Sequence, residues 1–169
     1  MKKLVKLITS ATLALTILLT TGMAMVTELP NGSAGALADD SYTLEEMLTY
    51  AIQDEYAAQA EYSGIIETFG AVKPYKNIVT AEAKHINALI PLFGTSNLAV
   101  PVNDAKAQVV IPDSLKQSYE IGIDAEIKNI EMYNRFLEEN LPTEVRKVFE
   151  SLRNASQSHL AAFERAANR

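Results

Sequence analysis

The feature that most constrains this chain is a set of four apolar helical stripes, each broken at its middle by a glutamate or a histidine. At about 100° per residue, Leu48, Ala51, Ile52, Ala58, Tyr62, Ile66 and Phe69 fall on one face around Glu55. Ile78, Ala81, Glu82, Leu89 and Leu92 gather around His85, and Leu115, Tyr119, Ile123, Ile130, Tyr133 and Leu137 around Glu126. Val145, Val148, Leu152, Ser156, Phe163 and Ala166 gather around His159. Ionisable groups at the centres of faces that pack inward are costly unless something pairs them. A shared cation is the simplest partner.

The punctuation divides the chain into two hairpins. Thr43 and Glu46 form a capping box, Gly70 closes that segment, Pro74 opens the next, and Phe93-Gly94 ends it. Pro91 is expected to distort the last turn. Residues 95–113 hold two prolines and no sustained helical period; the apolar AQVVI within them is expected to lie as an extended strip across the helices. Ser114 caps a third helix reaching about Glu139, Asn140-Leu141-Pro142 is a turn, and a fourth helix runs to near the end. Two tight connections flank a long one, which predicts an up-down, crossover, up-down bundle.

Helix pairing then brings the ionisable residues to one height. Glu55 precedes Gly70 by as many residues as His85 follows it, so both sit roughly 22 Å from the turn. Glu126 and Ser156 are likewise equidistant from Leu141, with His159 one turn further on. Glu82 and His85 form an E-x-x-H motif with both side chains on one face. A glutamate from each of two helices with E-x-x-H from the other two is the carboxylate-bridged dimetal pattern. Here the second motif reads Ser156-Gln157-Ser158-His159, one carboxylate short. Glu55, Glu82 and His85 suffice for one metal, with Glu126 bridging or completing a second site at His159. Oxygen donors with imidazole suit iron, manganese or zinc, as one or two ions. The position that Ser156 leaves open would admit O2 or H2O2. Tyr62, Tyr119, Tyr133 and Asn129 are expected beside the ligands as hydrogen-bond partners; Gln59 reads as a rim residue or weak extra ligand. Glu61, Glu67, Glu131, Glu138 and Glu139 read as a solvated face.

The stretches DEYAAQAEY, NIVTAEAKHINALIPLFG, SLKQSYEIGIDAEIKNIEMY and LRNASQSHLAAF resemble the ferritin-like superfamily, and within it an exported prokaryotic family of uncharacterised function related to rubrerythrins and ferritins. The last stretch is the most specific, since that family carries serine where ferritins and rubrerythrins carry glutamate. The resemblance spans about Thr43 to Phe163 and weakens in residues 99–113, which lack an expected helix. It implies an all-α fold: a ferritin-like four-helix bundle over residues 43–168, with the long crossover between its second and third helices. It also implies Glu55, Glu82, His85, Glu126 and His159 as the metal ligands, but no established reaction.

The ends and the composition add limits. MKKLVK is basic, the residues after it are apolar, and Ala36-Leu37-Ala38 offers an A-x-A site, so residues 1–38 read as a secretory signal peptide followed by a linker over 39–42. An uncleaved membrane anchor is the alternative and would be the only membrane contact. Either way the domain is expected outside the cell or at its surface. The chain carries a formal charge of −6, and residues 1–38 hold three lysines and one acid, leaving the remainder at −8. Such a domain repels nucleic acid. With no cysteine there is no disulfide, thiolate site or iron–sulfur cluster, so an electron donor would be a separate partner. A homodimer stays open. Three readings follow: a ferroxidase-like or peroxide-reducing metal protein, a non-enzymatic metal-binding or storage module, and a metal-free structural or interaction protein of the envelope.

Overall fold

Thr43 starts the first long helix as the capping box requires. Its Oγ1 accepts the Glu46 N–H at 3.2 Å, while the Glu46 carboxylate accepts the Thr43 N–H at 2.8 Å. The computed structural model describes residues 31–169, so the basic start and most of the apolar run lie outside the described residues. In chain order the helices are α1 (Gly32–Ala38), α2 (Leu44–Phe69), α3 (Tyr75–Thr95), α4 (Leu115–Glu138) and α5 (Thr143–Ala167). No strand occurs among the described residues, and no helix there is long and apolar enough to cross a membrane.

The bundle is α2–α5. Short turns join α2 to α3 and α4 to α5, and the two hairpins meet along α2 with α4 and α3 with α5. Gly70 ends α2 at φ +89, and Ser114 caps α4 by accepting the Gln117 N–H at 3.2 Å. α3 continues through Pro91 to Thr95; Pro91 sits on its exposed face. α1 is an addition to the expected four. It packs on α2 and α4, with Gly32, Ser33, Gly35 and Ala36 buried.

The crossover holds one 3-10 turn, Ala105–Gln108, which takes in the first part of the AQVVI stretch. The remainder is extended and lies against α2. Gly64 permits this close approach: a Cβ there would stand 2.6 Å from Ile111 Cδ1. Val110, between Val109 and Ile111, turns outward and is 83% exposed, as strand-like alternation requires.

Two apolar clusters fill the bundle. The larger holds Leu48, Ile52, Leu89, Phe93, Met132, Tyr133, Phe136, Phe149 and Leu152, and the smaller Tyr62, Ile65, Tyr75, Ile78 and Phe163. Aromatic rings meet edge-on or tilted in both, such as Phe136–Phe149 at 5.5 Å and Tyr62–Phe163 at 5.4 Å between centroids. Among the described residues, the buried acidic and basic side chains of the core are Glu55, Glu82, Glu126 and His159. They form a polar layer at mid-height between the clusters.

Candidate metal centre

Each helix of the bundle delivers its central ionisable residue to this layer. Glu82 of α3 lies in the middle. Its Oε2 is 2.7 Å from His85 Nδ1, one turn along the same helix, and its Oε1 is 3.2 Å from His159 Nδ1 on α5. His85 Nδ1 also stands 3.0 Å from Glu55 Oε2 of α2, and His159 Nδ1 stands 3.4 Å from Glu126 Oε1 of α4. The imidazole rings stack with centroids 5.7 Å apart. Two three-residue groups result, Glu55–Glu82–His85 and Glu82–Glu126–His159, and within each the donor atoms lie within 4.8 Å of one another. Glu82 belongs to both. The residue common to the two groups is therefore Glu82, while Glu126 completes the second.

The donor set fits a pair of transition-metal ions. With bonds of about 2.1 Å, adjacent ligand atoms around one ion stand about 3–3.5 Å apart, and the imidazole–carboxylate separations here run from 2.7 to 3.4 Å. Three nitrogen or oxygen donors per group leave coordination positions free.

With protons in place of metal, the cluster is an ion-pair network. Burial opposes charge on both histidines, yet hydrogen bonds to Glu55 and Glu82 raise His85 to about 10. Hydrogen bonds to Glu126 and Glu82 raise His159 to about 9. Burial also works against the Glu82 charge, but hydrogen bonds from the two imidazoles hold its carboxyl below the usual range. At Glu55 and Glu126 burial wins and pushes both carboxyls up.

Two tyrosines orient the outer carboxylates. Tyr133 donates to Glu55 Oε1 at 2.9 Å and Tyr62 to Glu126 Oε1 at 3.1 Å. Burial pushes both phenols well above 10, so they stay protonated donors. Tyr133→Phe should leave the Glu55 oxygen short of one hydrogen bond and lower stability by about 1 kcal/mol. Thermal unfolding checks it, and no change would mean that the contact contributes nothing.

Ser156 and Asn129 take positions next to the ligands. Ser156 Oγ donates to Asn129 Oδ1 at 2.6 Å and approaches Leu152 O at 3.1 Å, so it turns from the metal groups. Asn129 Nδ2 donates to Asp54 Oδ2, and Asp54 Oδ1 accepts the Ser33 N–H at 2.7 Å. Asp54 escaped the sequence reading because it sits about 100° round α2 from Glu55. Its signal is adjacency to Glu55 in a run, residues 47–60, that holds no other acid. Tyr119 lies elsewhere: it stacks on Tyr75 at 5.7 Å and approaches the Lys73 carbonyl at 3.4 Å, in the smaller apolar cluster. Gln59 lines a groove under the crossover. Glu61 is partly buried on a neighbouring groove rather than fully solvated; Glu67, Glu131 and Glu138 are exposed, and Glu139 is partly so.

A cavity of about 20 Å3, lined by Asp54, Glu55, Glu82, Glu126, Asn129 and Ser156 among others, opens beside the ligands. It has room for one water-sized molecule. A groove of about 570 Å3 between the crossover and the outer faces of α2 and α4 contains none of the five candidate ligands.

An antiparallel helical bundle with carboxylates and imidazoles converging at mid-height defines a ferritin-like, metal-binding class of protein. The rubrerythrin family model matches residues 46–167, and the chain belongs to that family. A solved structure, a hypothetical protein from Methanococcus jannaschii, is similar in fold: TM-score 0.65 and 20% identity over 77% of this chain and 83% of the other. No curated protein matches.

Proposed function

We propose that the protein is an exported metal-binding domain that holds two transition-metal ions, iron foremost, with manganese or zinc as alternatives, and reacts them with O2 or H2O2. The observation that carries this reading is the placement of the Glu82 carboxylate between two imidazoles, each backed by its own glutamate. Iron bound there would supply one-electron redox steps and Lewis acidity. The chain's residues supply the rest. Glu82 sets the spacing of the two groups, Tyr133 and Tyr62 hold Glu55 and Glu126 in orientation, and the apolar clusters exclude bulk water. The small cavity beside the ligands gives access to a small reactant of the O2 or peroxide class, and the uncharged Asn129 and Ser156 on its wall leave room where another carboxylate would reach in. The basic start and apolar run support export.

Enclosure of the cluster also favours a second reading, a module that holds metal without turnover. Anaerobic loading with Fe(II), followed by O2 or H2O2, separates the two. The redox reading expects ferric absorption to grow and, with a chemical reductant such as ascorbate supplied in place of the separate electron donor, repeated additions of peroxide to be consumed. Ferrous iron that stays ferrous at full occupancy contradicts it, and a single stoichiometric oxidation without further consumption favours storage.

A further inference from the structure

Export signals are cut at a small-residue site within the first 15–30 residues, just beyond an apolar stretch of 7–15. Ala36-Leu37-Ala38 lies well downstream of the apolar Leu7–Leu19, whereas Gly22-Met23-Ala24 follows it closely. The folded chain also uses the residues that a cut after Ala38 would remove. Gly32 adopts φ +56, and a Cβ there would stand 2.7 Å from Asp54 Oδ1 and 3.2 Å from its Cα, so glycine is required. The Gly32 N–H donates to Gln53 Oε1 at 3.2 Å and the Ser33 N–H to Asp54 Oδ1 at 2.7 Å. Ala36 is fully enclosed in the larger apolar cluster, and its carbonyl accepts the Tyr42 hydroxyl at 2.6 Å. The Leu37 carbonyl accepts from Arg135 Nη1 at 3.3 Å.

Without this helix the Asp54 carboxylate, which also holds Asn129 and through it Ser156, would lose its backbone donor. A partly buried carboxylate stripped of a donor is unfavourable. We infer that the exported chain is cut after Ala24, begins at Met25, and keeps Gly32–Ala38 as a structural wall that seats Asp54 beside the metal groups. The inference rests on the export reading and sharpens it.

The test uses the full chain expressed in a host with a general export pathway, with two variants, Gly32→Val and Ala34→Val. Ala34 is exposed on the same helix. N-terminal sequencing and intact mass of the exported protein should give Met25. Gly32→Val should lower the melting temperature of the exported product by about 5 °C or more, and Ala34→Val should change it by less than about 2 °C. A start at Asp39, with both variants yielding the same mature protein as wild type, would overturn the inference while leaving export intact. A chain found in the membrane with Met1 retained overturns the cleavage, and one confined to the cytoplasm overturns the export reading with it. A Met25 start with an unaltered Gly32→Val melting temperature would also overturn it, because the helix would then be dispensable.

Discussion

Glu82→Gln should empty both metal groups at once. Glu82 supplies one oxygen toward each histidine, so its loss removes a ligand from both triads, whereas Glu126→Gln removes one only from the second. Elemental analysis should fall from two ions per chain to none for Glu82→Gln and to one for Glu126→Gln. The metal-free variant should also be less stable by about 3–5 kcal/mol, the range for a buried ion pair that loses one partner. His85 and His159 would then face each other with only the outer glutamates to balance them. A Glu82→Gln protein that retains two ions would show that the shared carboxylate is not a ligand.

The second large effect is a reversal of pH dependence on metal binding. In the metal-free chain His85 and His159 titrate at about 10 and 9, above the 6.5 of an unfolded histidine. A raised folded value stabilises fully below the unfolded value and is lost as pH rises through the folded one. The raised carboxyls of Glu55 and Glu126 act in the same direction, since the folded state again holds more protons. Glu82, held low, acts oppositely and loses its contribution only as pH falls below the usual carboxylate range. The metal-free protein should therefore be most stable in mild acid and lose on the order of a few kcal/mol between pH 6 and 10. Metal must displace the imidazole protons, so its affinity and the stability it adds should rise over the same interval. Thermal unfolding at a series of pH values, with and without chelator, reads both slopes. Parallel curves that ignore chelator would contradict the account.

Much of this arrangement is legible in the residues because helical period and hairpin symmetry are strong constraints. Equal distances from Gly70 place Glu55 against His85, and the 3.0 Å contact follows. The second hairpin is displaced by one turn from the simplest symmetry: Ser156 pairs with Asn129, and His159 with Glu126. Sequence spacing alone leaves Glu126 open between bridging the two groups and completing the second; that Glu82 is the residue common to both depends on side-chain rotamers across four helices. α1 escapes notice because GSAGALA carries no amphipathic period and resembles a peptidase site. Its folded role comes from small residues that let backbone approach α2, a tertiary effect. Tyr119 lies on the expected stripe, yet it is two turns from Glu126 along α4 and is drawn to Tyr75 instead.

The most direct test of the shared centre is anomalous X-ray scattering from crystals grown without chelator and measured at the absorption edges of iron, manganese and zinc. Two peaks a few ångströms apart are expected, one among Glu55, Glu82 and His85 and the other among Glu82, Glu126 and His159. An intact bundle with no peak after soaking in each metal, its histidines still paired directly to the carboxylates, would contradict it.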